Sequence, residues 1–245
     1  MIRDEPKAPR ADTFAAIFDA ALLAWATRWW LYVAIALASI AAQAGIAILR
    51  QYDVAVVAIA FCIVDGLATA FVTIDVGEYL RDEPRPLRVV LRAALLRWPV
   101  VALVLACALV IEAAIYPWLF NPEQTYGIGM LPALLVFGIL GIASVIASLD
   151  ETRPYWALPG FALLQSFLYA GAWPNMGRLI LAGAMLAVPM MLQEILEHWL
   201  ATKGIAPLVN SFWSNIPVDA LTLAPFQAFF TYLYLDFKAR DEAKR

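Results

Sequence analysis

Residues 85–116 read RPLRVVLRAALLRWPVVALVLACALVIEAAIY, and this stretch decides the fold class. Its first part, residues 85–97, carries an arginine roughly once per helical turn. Residues 98–116 hold Glu112 as their only charged side chain. A helix needs about 20 mostly apolar residues to cross about 30 Å of hydrocarbon. The second part is therefore predicted to span a membrane, with the arginines at its polar boundary.

The composition of the whole chain points the same way. Of its 245 residues, 63% are hydrophobic and 15% are charged. Soluble domains have about 45–50% apolar and about 25% charged residues, so a water-soluble globular domain is excluded. The arginines lie beside apolar runs and do not form a basic domain, which argues against nucleic acid as a partner.

Five other apolar runs resemble the one at residues 98–116. The six predicted spans are residues 29–49, 54–74, 98–116, 127–149, 179–196 and 217–235. The predicted fold is therefore an all-α integral membrane protein with six transmembrane helices. They form one membrane domain over residues 12–237, between a polar N-terminal tail (1–11) and a charged C-terminal tail (238–245).

The basic residues predict the orientation. All of the 17 Lys and Arg residues except Arg50 and Lys203 fall on one side of the predicted membrane. Short cytoplasmic loops are enriched in Lys and Arg. We therefore expect a multi-pass protein of the bacterial inner membrane with both termini in the cytoplasm.

Three segments before the odd-numbered spans are amphipathic at helical spacing: residues 12–28, 86–98 and 159–171. They follow one another at an offset of 73 residues, which suggests three repeats of an interfacial helix plus a transmembrane hairpin. Such helices lie among the lipid headgroups with arginine toward anionic lipid. Alternatively, each segment extends the following span. The predicted lipid-interface residues are Arg85, Arg88, Arg92, Arg97, Trp25 and Trp98.

Ionisable residues inside a bilayer are costly and often mark a functional site. Asp65 lies about 16 Å into the second span at ~1.5 Å per residue, with Thr69 one turn later. One interpretation is a proton or cation site. The other is a protonated carboxyl that is hydrogen-bonded to a neighbouring helix, and we expect Asp65 to be protonated at pH 7 because no basic residue lies at that depth.

Acidic residues also occur in the outer half of the predicted membrane. Glu194 and His198 share a helix face at i and i+4, and Glu112 could approach from another span. Three interpretations stay open: a water-filled vestibule, a divalent metal site, and ordinary acids at the membrane surface. A single histidine in the chain disfavours the metal.

Two stretches carry a resemblance to a known family. Residues 161–169 form an interfacial segment, and residues 233–240 read LYLDFKAR. In these features the chain resembles the six-helix membrane domain found fused to some bacterial glycerophosphodiester phosphodiesterases, and the related YciC-like proteins. The resemblance implies the six-helix fold. It does not carry the phosphodiesterase activity, because that catalytic domain is absent from this sequence.

The sequence shows no nucleophile–base pair, phosphate loop or histidine cluster, so we expect a protein that is not an enzyme and has no cofactor. The expected function is a membrane module that organises lipid through anionic headgroups on the cytoplasmic side, or an accessory subunit for other membrane proteins. The alternative is a small transporter or channel that uses Asp65 and the outer acids.

Overall fold

The structure, a computed structural model, describes residues 14–49, 54–81, 85–119, 130–172, 175–204 and 207–242. Every regular element in these residues is an α-helix. The eight helices are α1 (Phe14–Thr27), α2 (Trp29–Leu49), α3 (Val54–Leu80), α4 (Leu87–Leu119), α5 (Met130–Leu149), α6 (Leu158–Gly171), α7 (Asn175–Thr202) and α8 (Pro207–Glu242). The all-α fold class is therefore confirmed.

Each predicted span corresponds to one long helix. The bounds of α2 coincide with the first predicted span, because the apolar run there begins at Trp29 and stops before Arg50. Helices α4, α7 and α8 instead continue past the apolar runs at both ends. Backbone hydrogen bonding propagates through polar residues, so a helix need not end where its hydrophobicity ends.

The three amphipathic segments fold in two different ways. α1 is a separate helix, bent by 82° from α2 at Arg28, and α6 is separate from α7. The middle segment has no break and continues into α4, a helix of 33 residues. The predicted threefold repeat is therefore incomplete: its second unit is an extended helix, which was the alternative for each segment.

α8 lies at the centre of the bundle. It packs against α1, α2, α3, α5 and α7, and every residue from 228 to 237 is buried. A helix that is apolar nearly all round is stable only when neighbours cover all its faces. The sequence AFFTYLYLDF at residues 228–237 meets this condition, with Asp236 as its one ionisable carboxyl.

Glycines bring several helices into close contact. A Cβ added to Gly66 on α3 would lie 2.9 Å from Cα of Ala102 on α4. On α5 and α7, Cβ atoms at Gly138 and Gly183 would each collide with a main-chain carbonyl of the opposite helix, at Leu179 and Leu134. Small residues that let backbones touch are a common basis of helix association in membranes.

Length and apolarity together identify one candidate membrane span in the described residues, Leu87–Ile111 of α4. The bent pair Ala15–Thr27 and Trp29–Ala42 would supply a second if both parts belong to one span. One or two such helices support a membrane location only weakly, since the core helix of a soluble protein can satisfy the same criteria. The arrangement of six spans stays a prediction.

Candidate functional site

Asp65 contacts the neighbouring helix α2. Its Oδ1 accepts a hydrogen bond from the Ser39 hydroxyl at 2.5 Å, and its side chain is half-buried. Thr69, one turn further along α3, is buried. In the second interpretation of Asp65, its carboxyl is hydrogen-bonded to a neighbouring helix. The hydrogen bond from Ser39 on α2 agrees with that interpretation. Its role in ion or proton binding stays a hypothesis.

The outer acidic residues are described only in part. The side chains of Glu112 and Glu194 lie outside the described part of the structure, although both residues belong to helices. His198 on α7 is exposed. A metal site or a vestibule formed by these three residues therefore stays a prediction.

Buried carboxylates and arginines concentrate at the opposite end of the bundle. There the C-terminal ends of α3, α5 and α8 meet the N-terminal ends of α2, α4 and α7. We call this region the charged end and define it by Arg28, Asp75, Glu78, Arg81, Arg85, Arg97, Glu151, Arg178, Asp236 and Arg240.

Asp75 fixes the junction between α1 and α2. It is 4% exposed, and its Oδ1 accepts a hydrogen bond from Arg28 Nη1 at 2.5 Å. The Tyr32 hydroxyl donates to Oδ2 at 2.7 Å. Arg28 is the residue at which the chain turns by 82°. The buried carboxylate on α3 therefore holds the bend by binding both the turning residue and the first turn of α2.

Asp236 joins α7 to α8 in a similar way. The residue is fully buried, and its Oδ2 lies 2.5 Å from Arg178 Nη1 and 2.8 Å from Arg240 Nε. Oδ1 has no hydrogen-bond partner among the described residues. Two arginines on one carboxylate leave an excess positive charge at this point, and Arg240 is 34% exposed, so part of that charge faces outward.

Arg85 is 49% exposed and pairs with a buried carboxylate of α3. Its Nε lies 3.0 Å from Oε2 of the buried Glu78 on α3. We predicted that Arg85 faces lipid together with Arg88, Arg92 and Arg97. The pairing with Glu78 leaves half of the Arg85 side chain exposed, so its predicted place at the lipid interface stays a prediction. Arg88 and Arg92 are exposed, and neither has an ion-pair partner among the described residues.

A polar cavity of about 40 Å³ lies behind this ion pair. It is lined mainly by charged side chains from α3, α4 and the residues after α5, and this size and polarity suit ordered water. Its polar lining residues are Glu78, Arg81, Arg85, Arg97, Ser148 and Glu151. The charged end thus has internal room for water, with three arginines around two glutamates.

Both tryptophans predicted at the interface are half-buried. Trp98 donates its indole N–H to the main-chain carbonyl of Ile63 on α3 at 2.6 Å. The indole nitrogen of Trp25 is buried without a hydrogen-bond acceptor among the described residues. Trp98 therefore helps to join α3 to α4. Trp29, Trp30 and Trp156, by contrast, are exposed.

Sequence reasoning missed three residues of the charged end: Asp75, Glu78 and Asp236. Each lies close to the end of an apolar run, where acids are usually solvated. One signal was available, because each run lies near arginines on the same predicted side of the membrane. The pairing itself depends on tertiary structure, since Arg28 and Asp75 are 47 residues apart.

Comparison with known proteins returned no match to a protein-family model, to a curated protein or to a solved structure. The resemblance to the six-helix membrane domain therefore stays a prediction from the two stretches of sequence that carry it.

Proposed function

We propose that this chain is a non-catalytic integral membrane module with six spans and both ends in the cytoplasm of a bacterium. In this proposal it organises anionic lipid, or serves as an accessory subunit of a membrane complex, through the cytoplasmic ends of its helices.

Exposed apolar side chains support a membrane location. Twenty-four large hydrophobic residues in the described part of the chain are exposed, whereas soluble monomers rarely expose large apolar patches. In the candidate span Leu87–Ile111, only 28% of the apolar window is buried inside the protein. A core helix of a soluble protein would be mostly buried. This helix therefore presents most of its apolar surface to its surroundings.

Helix lengths support six spans. α2, α3, α4, α5, α7 and α8 contain between 20 and 36 residues. At about 1.5 Å per residue each is at least ~30 Å long, which matches the hydrocarbon thickness. The close contacts at Gly66, Gly138 and Gly183 support a tightly packed bundle, as expected of a module rather than of an aqueous pathway.

The first three turns of α4 carry the functional proposal. Arg88 and Arg92 are exposed and unpaired among the described residues. The apolar side chains between and after them are exposed as well, including Leu91 at 46% and Leu96 at 64%. A surface that offers arginine and leucine on the same turns fits the boundary between headgroups and acyl chains. Each arginine there contributes about 1 kcal/mol of attraction to anionic lipid.

The transporter alternative rests on Asp65 and on the outer acids, whose side chains are described only in part. The geometry of Asp65 favours this alternative less. The carboxyl already bonds to Ser39 on the next helix, so it has a structural role that needs no transported ion.

The test compares lipid retention by purified variants. One double variant carries Arg88→Gln and Arg92→Gln. The control double variant carries Lys203→Gln and Lys238→Gln, so that both proteins lose two positive charges from exposed positions. Native mass spectrometry then measures binding of phosphatidylglycerol and phosphatidylcholine. We expect the wild type to prefer phosphatidylglycerol, and the α4 variant to bind it up to about thirtyfold more weakly, since 1 kcal/mol is about fivefold in affinity. The control should behave as wild type.

Two results would overturn the proposal. One is equal binding of both lipids by the wild type, with no membrane protein retained during purification. The other is transport of an ion or solute by reconstituted protein that disappears in Asp65→Asn.

A further inference from the structure

A surface groove of about 540 Å³ lies between α4 and the residues that connect α5 to α6. Its lining consists of Leu95, Leu96, Arg97, Arg153 and Tyr155. Ligand sites for small molecules are commonly about 300–1,000 Å³, so the groove has room for a headgroup and the first part of an acyl chain.

The groove has a defined wall on the loop side. The Tyr155 hydroxyl donates a hydrogen bond to the main-chain carbonyl of Leu96, which ties residues 150–157 to α4. Partial burial raises the pKa of this hydroxyl above its ordinary value, so it stays a neutral donor at physiological pH. Arg153 is held as well, because its guanidinium lies 4.6 Å from the ring centroid of Phe161 on α6.

Two arginines line this groove, and neither forms a salt bridge within the described part of the chain. Neither Arg97 nor Arg153 is within salt-bridge distance of a carboxylate in the described part of the chain. Glu151 and Glu78 are the nearby acids, and they line the polar cavity on the other side of Arg97 rather than the groove. Glu78 is already paired with Arg85. The groove therefore attracts an anion.

The remaining lining is apolar and exposed. Leu95 is 49% and Leu96 is 64% exposed. Trp156, which follows Tyr155, is 85% exposed, and tryptophan concentrates at membrane–water interfaces. A free phosphate ion would gain nothing from these side chains, whereas an acyl chain would cover them.

We infer that this groove binds one anionic phospholipid, with its phosphate between Arg97 and Arg153 and its acyl chain along Leu95 and Leu96. Arginine suits this role because its guanidinium binds phosphate oxygens in a fixed, bidentate geometry. The inference rests on the proposed lipid-binding function and narrows it to a single site, distinct from the exposed arginines Arg88 and Arg92.

The test uses the same full-length protein and the same lipids. Arg97→Gln, Arg153→Gln and their double variant are compared with the control Lys203→Gln, Lys238→Gln, and a melting curve in detergent checks that each variant is folded. Binding of phosphatidylglycerol is measured by native mass spectrometry at low salt and at about 0.5 M salt. At that salt concentration the Debye length is only a few ångströms, so the attraction between exposed arginines and lipid phosphates is largely screened.

We expect one phosphatidylglycerol molecule to stay bound to the wild type and to the control at high salt. Loss of Arg97 or Arg153 should weaken this binding by about fivefold each, and by about thirtyfold together. Glycerol phosphate, which has the same charge but no acyl chain, should not compete at equal concentration.

Different failures have different meanings. If the wild type does not prefer anionic lipid at all, the proposed function fails together with the site. If the preference exists but the groove variant binds lipid as the control does, the site alone is wrong. Effective competition by glycerol phosphate would show a soluble phosphate site. Loss of a co-purifying protein without loss of lipid would assign the groove to an acidic protein partner.

Discussion

Replacing Arg178 with glutamine removes one of the two guanidinium groups that bind the buried Asp236 carboxylate. Asp236 is fully buried, and Arg178 is the less exposed of the two partners, at 15% against 34% for Arg240. Breaking a buried ion pair by removing one partner costs about 3–5 kcal/mol. Because Arg240 still donates at 2.8 Å, we expect the free energy of unfolding to fall by about 2–3 kcal/mol.

The measurement can use a reporter that the protein already contains. Cys62 carries a buried thiol that is 4% exposed, so a thiol-reactive dye labels it only when the bundle opens. Titration with sodium dodecyl sulfate in mixed micelles, in a Cys107→Ser background, gives the free energy of unfolding for each variant. Arg178→Lys keeps the positive charge and should recover part of the loss.

A matched control lies on α8. Lys238 pairs with Glu242 at 3.8 Å, and both side chains are about half exposed. Exposed pairs contribute about 0–1 kcal/mol, so Lys238→Gln should change the free energy of unfolding by less than about 0.5 kcal/mol. If Arg178→Gln is as mild as this control, Asp236 is hydrated in the native protein and the argument from its burial is wrong.

Three further predictions follow from the packing and from the sequence. Gly138→Ala should destabilise the protein by about 1–3 kcal/mol, because its Cβ would collide with a main-chain carbonyl of α7. Gly177→Ala is the control, and it should stabilise the protein slightly because the space around Gly177 is open. Equal effects of the two substitutions would contradict the close packing at Gly138. Asp65→Asn should change stability by less than about 1 kcal/mol in the same titration, because asparagine can still accept from Ser39; a large loss would indicate an ionised, functional carboxylate. A topology reporter at Gln124 should give a periplasmic signal and one at the C-terminus a cytoplasmic signal, and the reverse at either position would refute the predicted orientation.

The sequence was most informative where one physical effect dominates. An apolar run that starts at Trp29 and stops before Arg50 predicts a helix of the length found, and hydrophobicity alone was enough to locate it. The middle amphipathic segment was harder to predict. Pro99 lies at the junction between this segment and the predicted span, where proline favours a break, yet α4 continues through it. The local sequence therefore did not decide between a separate helix and a longer α4.

The charged end shows where sequence reasoning stops. The cost of burying Asp236 depends on whether Arg178, 58 residues earlier, lies beside it. Neither hydrophobicity nor spacing encodes that contact. Arg85 is a second example, since its pairing with the buried Glu78 cannot be read from the sequence, although the side chain stays about half exposed.

The central position of α8 also constrains how the protein is made. Synthesis proceeds from the N-terminus, at about 5–20 residues per second, so α8 is the last of the described helices to leave the ribosome. Until it arrives, α1, α2, α3, α5 and α7 each lack the neighbour that covers one of their faces, and Arg178 lacks its carboxylate. The earlier helices must therefore wait as a loose assembly that chaperones or proteases can recognise. Only the packing of residues 228–237 turns that assembly into the native bundle, so α8 acts as a checkpoint for the helices made before it.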